Sequence, residues 1–475
     1  MATLPVALRL PYDAWEPIVE ALKDGDQPKD TRDFIRNVGS LSGSCSLLRK
    51  YLGSFLYNEV LLRGPHARVP SEREYWTERN RPSSLDYTLS QLKTEPSLPA
   101  IVTRVTLQHW MCHVEFAPEQ EHLAHQQRLA TIFSLLPTLI NLTCLGLITV
   151  AITTESHDVL RQLSTLRELV LDCCRLWPCS EAALVRPSLL SVRKLCVEGL
   201  QLEGDRSQGL SSFANASHLQ RLETDSIQLL HAIYYQLKRR REISKLTELT
   251  MPNTTVSNNL PPGIRGTADA SNLVAKFLSI CPVVRRLRLP GWMTFSMHGL
   301  CPELQHLAAS VTLVTTAVSW RHLTEVYAMQ STRSAAAAAD AYAELTALIA
   351  AVRDPQCPPT GITSFVYGAA LPSFCSVVDI CAPLFGNLQM FGISSLQMPD
   401  AIGDVWHAVL RHRTALAKVQ EIHFSYLMPD IDSDDIDMLH ALCDELQSAC
   451  PALWKVSIGK DTDCVLSNDG EWEIV

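Results

Sequence analysis

Several short runs of the chain bring together side chains that could do chemistry. His109, Cys112 and His113 offer two imidazoles and a thiol, a set that suits zinc. A strand sends His109 and Cys112 to opposite faces, and no second ligand pair stands near in sequence. Ordinary turn residues are therefore expected there, and no metal. Asp430, Asp432 and Asp434 imitate the opening of a calcium loop. The loop would need Gly where Asp435 stands and Glu where Ala441 stands, so these acids are expected instead to open a helix through Met438 to Ala449. No glycine-rich phosphate loop, nucleophile elbow or His-Glu-x-x-His run occurs. The expectation is a non-enzyme with no catalytic residue and no cofactor.

The fifteen cysteines form no Cys-x-x-Cys pair and fall at apolar strand and turn positions. Met1 to Leu10 lacks the apolar run of a secretory signal. A reduced setting, cytoplasmic or nuclear, follows, with the thiols acting as small buried hydrophobes. The sequons at Asn141, Asn215 and Asn253 would then go unused. A net charge of −9 argues against a nucleic-acid partner. Leu129 to Thr154 is uncharged and long enough to span a bilayer, but it parses as a helix end, a turn and a strand, so no membrane partner is expected.

What could position side chains is a recurring strand. Leu166 to Leu176 reads Leu-x-x-Leu-x-Leu-x-x-Cys-x-Leu, the spacing of a leucine-rich repeat. Its opening triplet recurs at Val102, Leu142, Val192, Leu219, Leu246, Val284, Leu304, Leu323, Ile362, Leu388, Val419 and Leu453. From 142 to 246 the steps are 24, 26, 27 and 27 residues. The copies at 304 and 323 fit less well, because Ala309 and Ala328 stand where the pattern wants bulk. Cys281-Pro282, Cys301-Pro302 and Cys450-Pro451 precede strands, where proline suits a helix end. One repeat cannot bury enough apolar surface to fold alone, so the copies must stack. The expected fold is α/β, a solenoid over 100–475 with parallel strands on its concave face and helices outside. A protruding loop is expected over 253–271 and an alanine-rich helix over 334–352. Lys238 to Arg241 suits a solvated helix C-terminus, or a nuclear import signal.

Residues 8–62 read differently, as short amphipathic helices, and 63–99 as a polar, proline-rich linker with room for one helix. The first of these spans resembles the F-box, in the form found ahead of leucine-rich repeats in fungal proteins. The matching residues are Leu10-Pro11-x-Asp13-x-Trp15 and Ile18-Val19-x-x-Leu22, then Leu41-x-x-x-Cys45-x-x-Leu48-Arg49-x-x-Leu52, Leu56-Tyr57-x-x-Val60 and Leu62. Departures are the insertion from Lys23 to Asp33 and Pro17 early in the first helix. The resemblance implies a small all-α domain that docks a Skp-type adaptor, and through it a cullin scaffold. It assigns adaptor contact to Leu10, Pro11, Trp15, Ile18, Val19, Leu22, Leu41 and Leu48. It further implies that the chain is the substrate-recognition subunit of a ubiquitin ligase. The other expectation is a repeat scaffold whose N-terminal helices only cap the stack.

Alternation along the strands points to the residues that would meet a protein substrate. They are Glu168, Val170, Asp172, Lys194, Glu198, Arg221, Glu223, Asp225, Glu248, Arg286 and Arg288, continued by His306, Glu325, Tyr327, Glu421, His423 and Lys455. The first half of this stripe is mainly acidic, so a basic segment of the partner is expected over Glu168 to Glu248.

Overall fold

The computed structural model describes residues 58–64, 82–94, 98–111, 119–177, 191–202, 216–252, 264, 266–318, 323–330, 338–353, 361–369, 373–395, 402–425, 440–441, 443–448, 450–458, 462–467 and 470–474. The chain divides into two compact units, Met1–Leu219 and Gln220–Val475. Among the described residues, no helix is long and apolar enough to cross a membrane. The chain from Leu129 to Thr154 is a helix end, a short 3-10 turn and a strand.

In the first unit, β1 (Glu59–Arg63), β2 (Arg104–Trp110), β3 (Cys144–Ile152), β4 (Glu168–Asp172) and β6 (Lys194–Glu198) pair side by side, all parallel. Strand alternation sends every second residue inward. Leu62, Leu107, Leu147, Leu171 and Val197 form one buried row in register, and Val60, Val105, Leu145, Leu169 and Leu195 another. Each row is a continuous apolar ridge, which is why a single repeat is unstable and a stack is not.

The chain then turns at one repeated corner. His109, Thr149, Cys173 and Gly199 hold φ of 59°, 55°, 50° and 58°, each one residue past an in-register pair. Left-handed backbone is unfavourable for threonine above all, and the stacked neighbours hold it in place. Beyond the corner Cys174 turns inward, its Sγ donating to Leu147 O at 3.1 Å. A second, two-residue ladder follows, in which β5 (Arg175–Leu176) pairs with β3 and with β7 (Gln201–Leu202). Among the described residues, this unit's α-helices are α1 (Pro82–Thr94), α2 (Leu98–Ile101), α3 (Glu119–Leu135) and α4 (Thr154–Leu160). Thr153 caps α4, its hydroxyl accepting from Ser156 N at 3.3 Å.

Two expectations about the N-terminal part change here. Residues 1–57, and with them most of the span 8–62, lie outside the described residues. Its last residues are not helical: 59–63 form β1, with Val60 and Leu62 buried in the sheet. Nor is 63–99 only a linker, since α1 buries Leu89 and Leu92 and Leu98 follows inside. Among the described residues the sheet therefore starts at Glu59, some forty residues before position 100.

In the second unit, β8 (Arg221–Thr224), β9 (Glu248–Thr250), β10 (Arg286–Arg288), β11 (His306–Ser310), β12 (Glu325–Met329), β13 (Ser364–Ala369), β14 (Met390–Ser395), β15 (Glu421–Ser425) and β16 (Lys455–Ile458) are parallel in sequence order. An antiparallel hairpin, β17 (Thr462–Leu466) and β18 (Trp472–Ile474), adds to β16. Between the strands run α5 (Ile227–Arg240), α6 (Thr267–Leu278), α7 (Val311–Val318), α8 (Ala338–Val352), α9 (Phe374–Cys381) and α10 (Ile402–Arg411). Every triplet singled out in the sequence is a strand, which makes both units α/β sheets compatible with a solenoid. The copies with Ala309 and Ala328 are strands too. Ala328 pairs in register with Tyr367, fully buried on β13, whose ring supplies bulk that the alanines lack.

Local expectations fare unevenly. Lys238–Arg240 close α5 and Arg241 is its left-handed cap, with φ of 55°. The loop expected to 271 ends earlier, because α6 starts at Thr267. Cys281 and Cys450 follow helices as expected, whereas Cys301 follows a run without helix and itself holds φ of 46°. The acids at 430, 432 and 434 lie outside the described residues, as do Cys112 and His113.

Candidate interaction surface

Strand alternation leaves one face of each sheet turned away from the buried rows, and register lines its residues into rows across the strands. In the first unit the leading row is Glu59, Arg104, Cys144, Glu168 and Lys194. The next is Leu61, Thr106, Gly146, Val170 and Cys196, and the third ends in Ile148, Asp172 and Glu198. Glu168, Val170, Asp172, Lys194 and Glu198 thus stand together on β4 and β6, all half-buried and in the predicted orientation.

Charge on this face is matched strand to strand. Lys194 Nζ lies 2.5 Å from Glu168 Oε1, and Arg104 Nε lies 3.4 Å from Glu59 Oε1. Burial raises the Glu168 carboxyl, but the hydrogen bond and charge of Lys194, with Arg104 and the Cys144 thiol, outweigh it and hold the group below its ordinary range. Burial pushes Cys144 up, and the Glu168 charge adds to that. At the end of the third row Asp172 and Glu198 stand in register on β4 and β6.

In the second unit the leading row runs Arg221, Glu248, Arg286, His306, Glu325, Ser364, Met390, Glu421 and Lys455. The next runs Glu223, Thr250, Arg288, Ala308, Tyr327, Val366, Gly392, His423 and Ser457. Arg221 Nε lies 3.2 Å from Glu248 Oε2, and His306 Nδ1 lies 2.6 Å from Glu325 Oε2. His423 Nε2 lies 3.1 Å from Glu421 Oε2, and Lys455 Nζ 2.5 Å from Asp463 Oδ2. Burial raises Asp463, yet hydrogen bonds from Lys455 and Ser457 and the Lys455 charge bring it below its ordinary range. Arg286 and Arg288 are exposed, and no ion pair joins either to a carboxylate among the described residues.

Asp225 is the exception to the predicted stripe. β8 ends at Thr224, so Asp225 sits in the bend before Ser226, whose hydroxyl accepts from Leu229 N at 3.2 Å and caps α5. Alternation ends with the strand at Thr224, one residue short of Asp225. The acidic half of the stripe also differs from expectation: Glu168 and Glu248 are neutralised by Lys194 and Arg221, partners on neighbouring strands. Alternation alone could not show this, because it depends on register.

Sequence reasoning passed over the middle of the second face. Val366 and Gly368 on β13 and Met390 and Gly392 on β14 obey the same alternation as their neighbours. Tyr327 reaches across to β13, its hydroxyl 2.9 Å from where a side chain on Gly368 would begin. Its ring therefore lies along the sheet. Val366 Cγ2 and His423 Cβ close over Gly392 in the same way, at 3.1 and 3.3 Å. The result is an apolar strip of Ala308, Tyr327 and Val366, with Met390 beside it. The strip spans β11, β12, β13 and β14, side by side on one face. The adaptor residues Leu10, Pro11, Trp15, Ile18, Val19, Leu22, Leu41 and Leu48 lie outside the described residues. No protein-family model and no curated protein matches the chain.

Proposed function

We propose that this chain is the substrate-recognition subunit of a Skp–cullin–F-box type ubiquitin ligase. Residues 8–62 would dock the adaptor, and the outward faces of the parallel sheets would hold the protein to be ubiquitinated. One observation carries the binding half of the reading: the repeat triplets stack in register and leave rows of half-buried polar and apolar side chains free of the core. The adaptor half is supported by the sequence resemblance of residues 8–62. On this reading the chain performs no covalent chemistry of its own and needs no cofactor. It supplies proximity, making the transfer of ubiquitin effectively local. Its place of work is the cytoplasm or nucleus, away from membranes and nucleic acids.

A second reading has its own observation. Residues 59–63, the end of the span that resembles an F-box, pair with β2 as part of the sheet. The span would then serve as a cap, and the chain as an interaction scaffold without a ligase role. Capture of the purified full chain on immobilised adaptor separates the two. Binding by wild type that is lost in Leu10→Ala/Pro11→Ala supports the ligase reading. No capture, or equal capture of the variant, leaves the scaffold.

A further inference from the structure

The geometry points to an acidic, apolar-flanked linear segment of a partner protein as the ligand of the second unit's sheet face, anchored by Arg286 and Arg288 beside Tyr327. This rests on the reading of that face as a protein-binding surface and names its partner's chemistry.

Arg286 and Arg288 are two residues apart on β10, so both point from the same face, about 7 Å apart. Several ionisable groups near them on this face stand in pairs: Arg221 with Glu248, His306 with Glu325, Glu421 with His423, Lys455 with Asp463. Arg286, in the leading row, and Arg288, in the next, are exposed and joined to no carboxylate among the described residues. Two cations set side by side repel one another, and a single carboxylate between them would relieve that; the face leaves the position open to a partner. A guanidinium is also the group best shaped to grip a carboxylate with two parallel hydrogen bonds.

Beside them the row continues with Ala308, Tyr327 and Val366. Ala308 is small enough to leave a low saddle between Arg288 and the Tyr327 ring, which lies along the sheet over Gly368. From Arg288 to Val366 is three strand spacings, about 14 Å, which an extended chain covers in about four residues. A peptide laid across the strands would thus put its acids on the arginines and a bulky apolar side chain on Tyr327 and Val366, roughly three to five positions away. Charge complementarity with Arg286 and Arg288 selects this occupant over a basic one. The basic segment expected from the acidic stripe finds Glu168 and Glu248 already matched.

The test is selection of a random peptide display library on the purified full chain, followed by binding of the most enriched sequence as a fluorescent peptide. The expected result is enrichment of two or more Asp or Glu near a Leu, Ile, Phe or Tyr. Binding should weaken as salt rises, and about tenfold or more in Arg286→Glu/Arg288→Glu. Arg286→Lys/Arg288→Lys should retain most of it, and a peptide with Lys in place of its acids should bind the Glu variant. This charge swap shows that the variant is folded. Failure to select any peptide, selection without acidic enrichment, or equal binding by the Glu variant overturns the inference. The selection does not use the adaptor, so loss of adaptor capture with peptide binding intact refutes only the ligase reading.

Discussion

The indole of Trp110 donates its Nε1 hydrogen to the backbone oxygen of Leu62, 2.8 Å away and fully buried. Trp110 ends β2 and Leu62 lies in β1, so one side chain ties the first strand of the sheet to the second. On its other side the same indole lies 5.2 Å, centre to centre, from the ring of His125, which bonds to Trp110 O at 3.0 Å. Trp110→Phe keeps most of the apolar volume and deletes the donor. Deleting one buried hydrogen bond costs about 0.5–1.5 kcal/mol. Chemical denaturation followed by circular dichroism should show a loss of that size. An unchanged midpoint would mean that water or another donor takes over.

Two glycines predict opposite outcomes. A side chain on Gly64 would begin 2.1 Å from His109 O, a backbone atom held by the sheet, so Gly64→Ala must force β1 from β2. Destabilisation above about 2 kcal/mol is expected. A side chain on Gly368 meets only the far end of Tyr327, which can swing aside. Gly368→Ala should melt close to wild type while changing the near-ultraviolet tyrosine signal. The comparison fails if the two variants melt alike.

The buried thiols should set the alkaline limit of stability. Burial pushes Cys174 and Cys281 from an ordinary value of 9.0 up to about 12, and Cys450 to about 11. Below about pH 9 folded and unfolded chains both hold these protons. Above it only the unfolded chain releases them, so stability falls as pH rises toward the folded values, by at most about 1.4 kcal/mol per pH unit for each thiol. Urea titrations between pH 8 and 10.5 test the slope, and Cys174→Ala/Cys281→Ala should flatten it.

Cys173 is the contrasting thiol, adjacent in sequence and exposed at the left-handed corner. Brief alkylation of the native chain, read by mass spectrometry, should modify Cys173 and spare Cys174. Modification of Cys174 at the same rate would show that the corner opens readily.

The acid limb depends on helix contacts. Asp379 on α9 lies 2.9 Å from Arg411 Nη2 and 2.8 Å from His412 Nε2, at the end of α10. Burial raises this carboxyl, but the hydrogen bonds and charges of His412 and Arg411 outweigh it and leave it below its ordinary range. The stability it contributes is present above the ordinary carboxylate range and is lost as pH falls through the lowered value. Asp379→Asn should weaken the protein near neutral pH and show a shallower decline below pH 4; parallel declines would separate Asp379 from the effect.

Much of this was legible because strand burial obeys a period of two whatever the connecting chain does. The triplets from Val102 to Leu453 each hold their strand, although their spacing is irregular. β1 was misread because Tyr57-x-x-Val60-x-Leu62 satisfies a helical period and a strand triplet equally, and only pairing with β2 separates them. The hairpin after β16 escaped notice since Thr462 to Leu466 carries no leucine triplet. At the candidate surface the alternation found Glu168, Lys194, Arg286 and Arg288. Which of them are neutralised depends on what stands opposite on the next strand, and a single chain read end to end does not contain that.

The hairpin also bears on how such a chain behaves in a crowded cell. A parallel stack can grow without end, because each outermost strand offers the same hydrogen-bonding edge to any copy of itself. By folding back, β17 and β18 cover the edge of β16 with strands of reversed direction, the last described being Trp472–Ile474, with Trp472 buried and Glu473 exposed. A second copy approaching β16 would meet there a strand of the opposite direction and not a parallel template that matches its own.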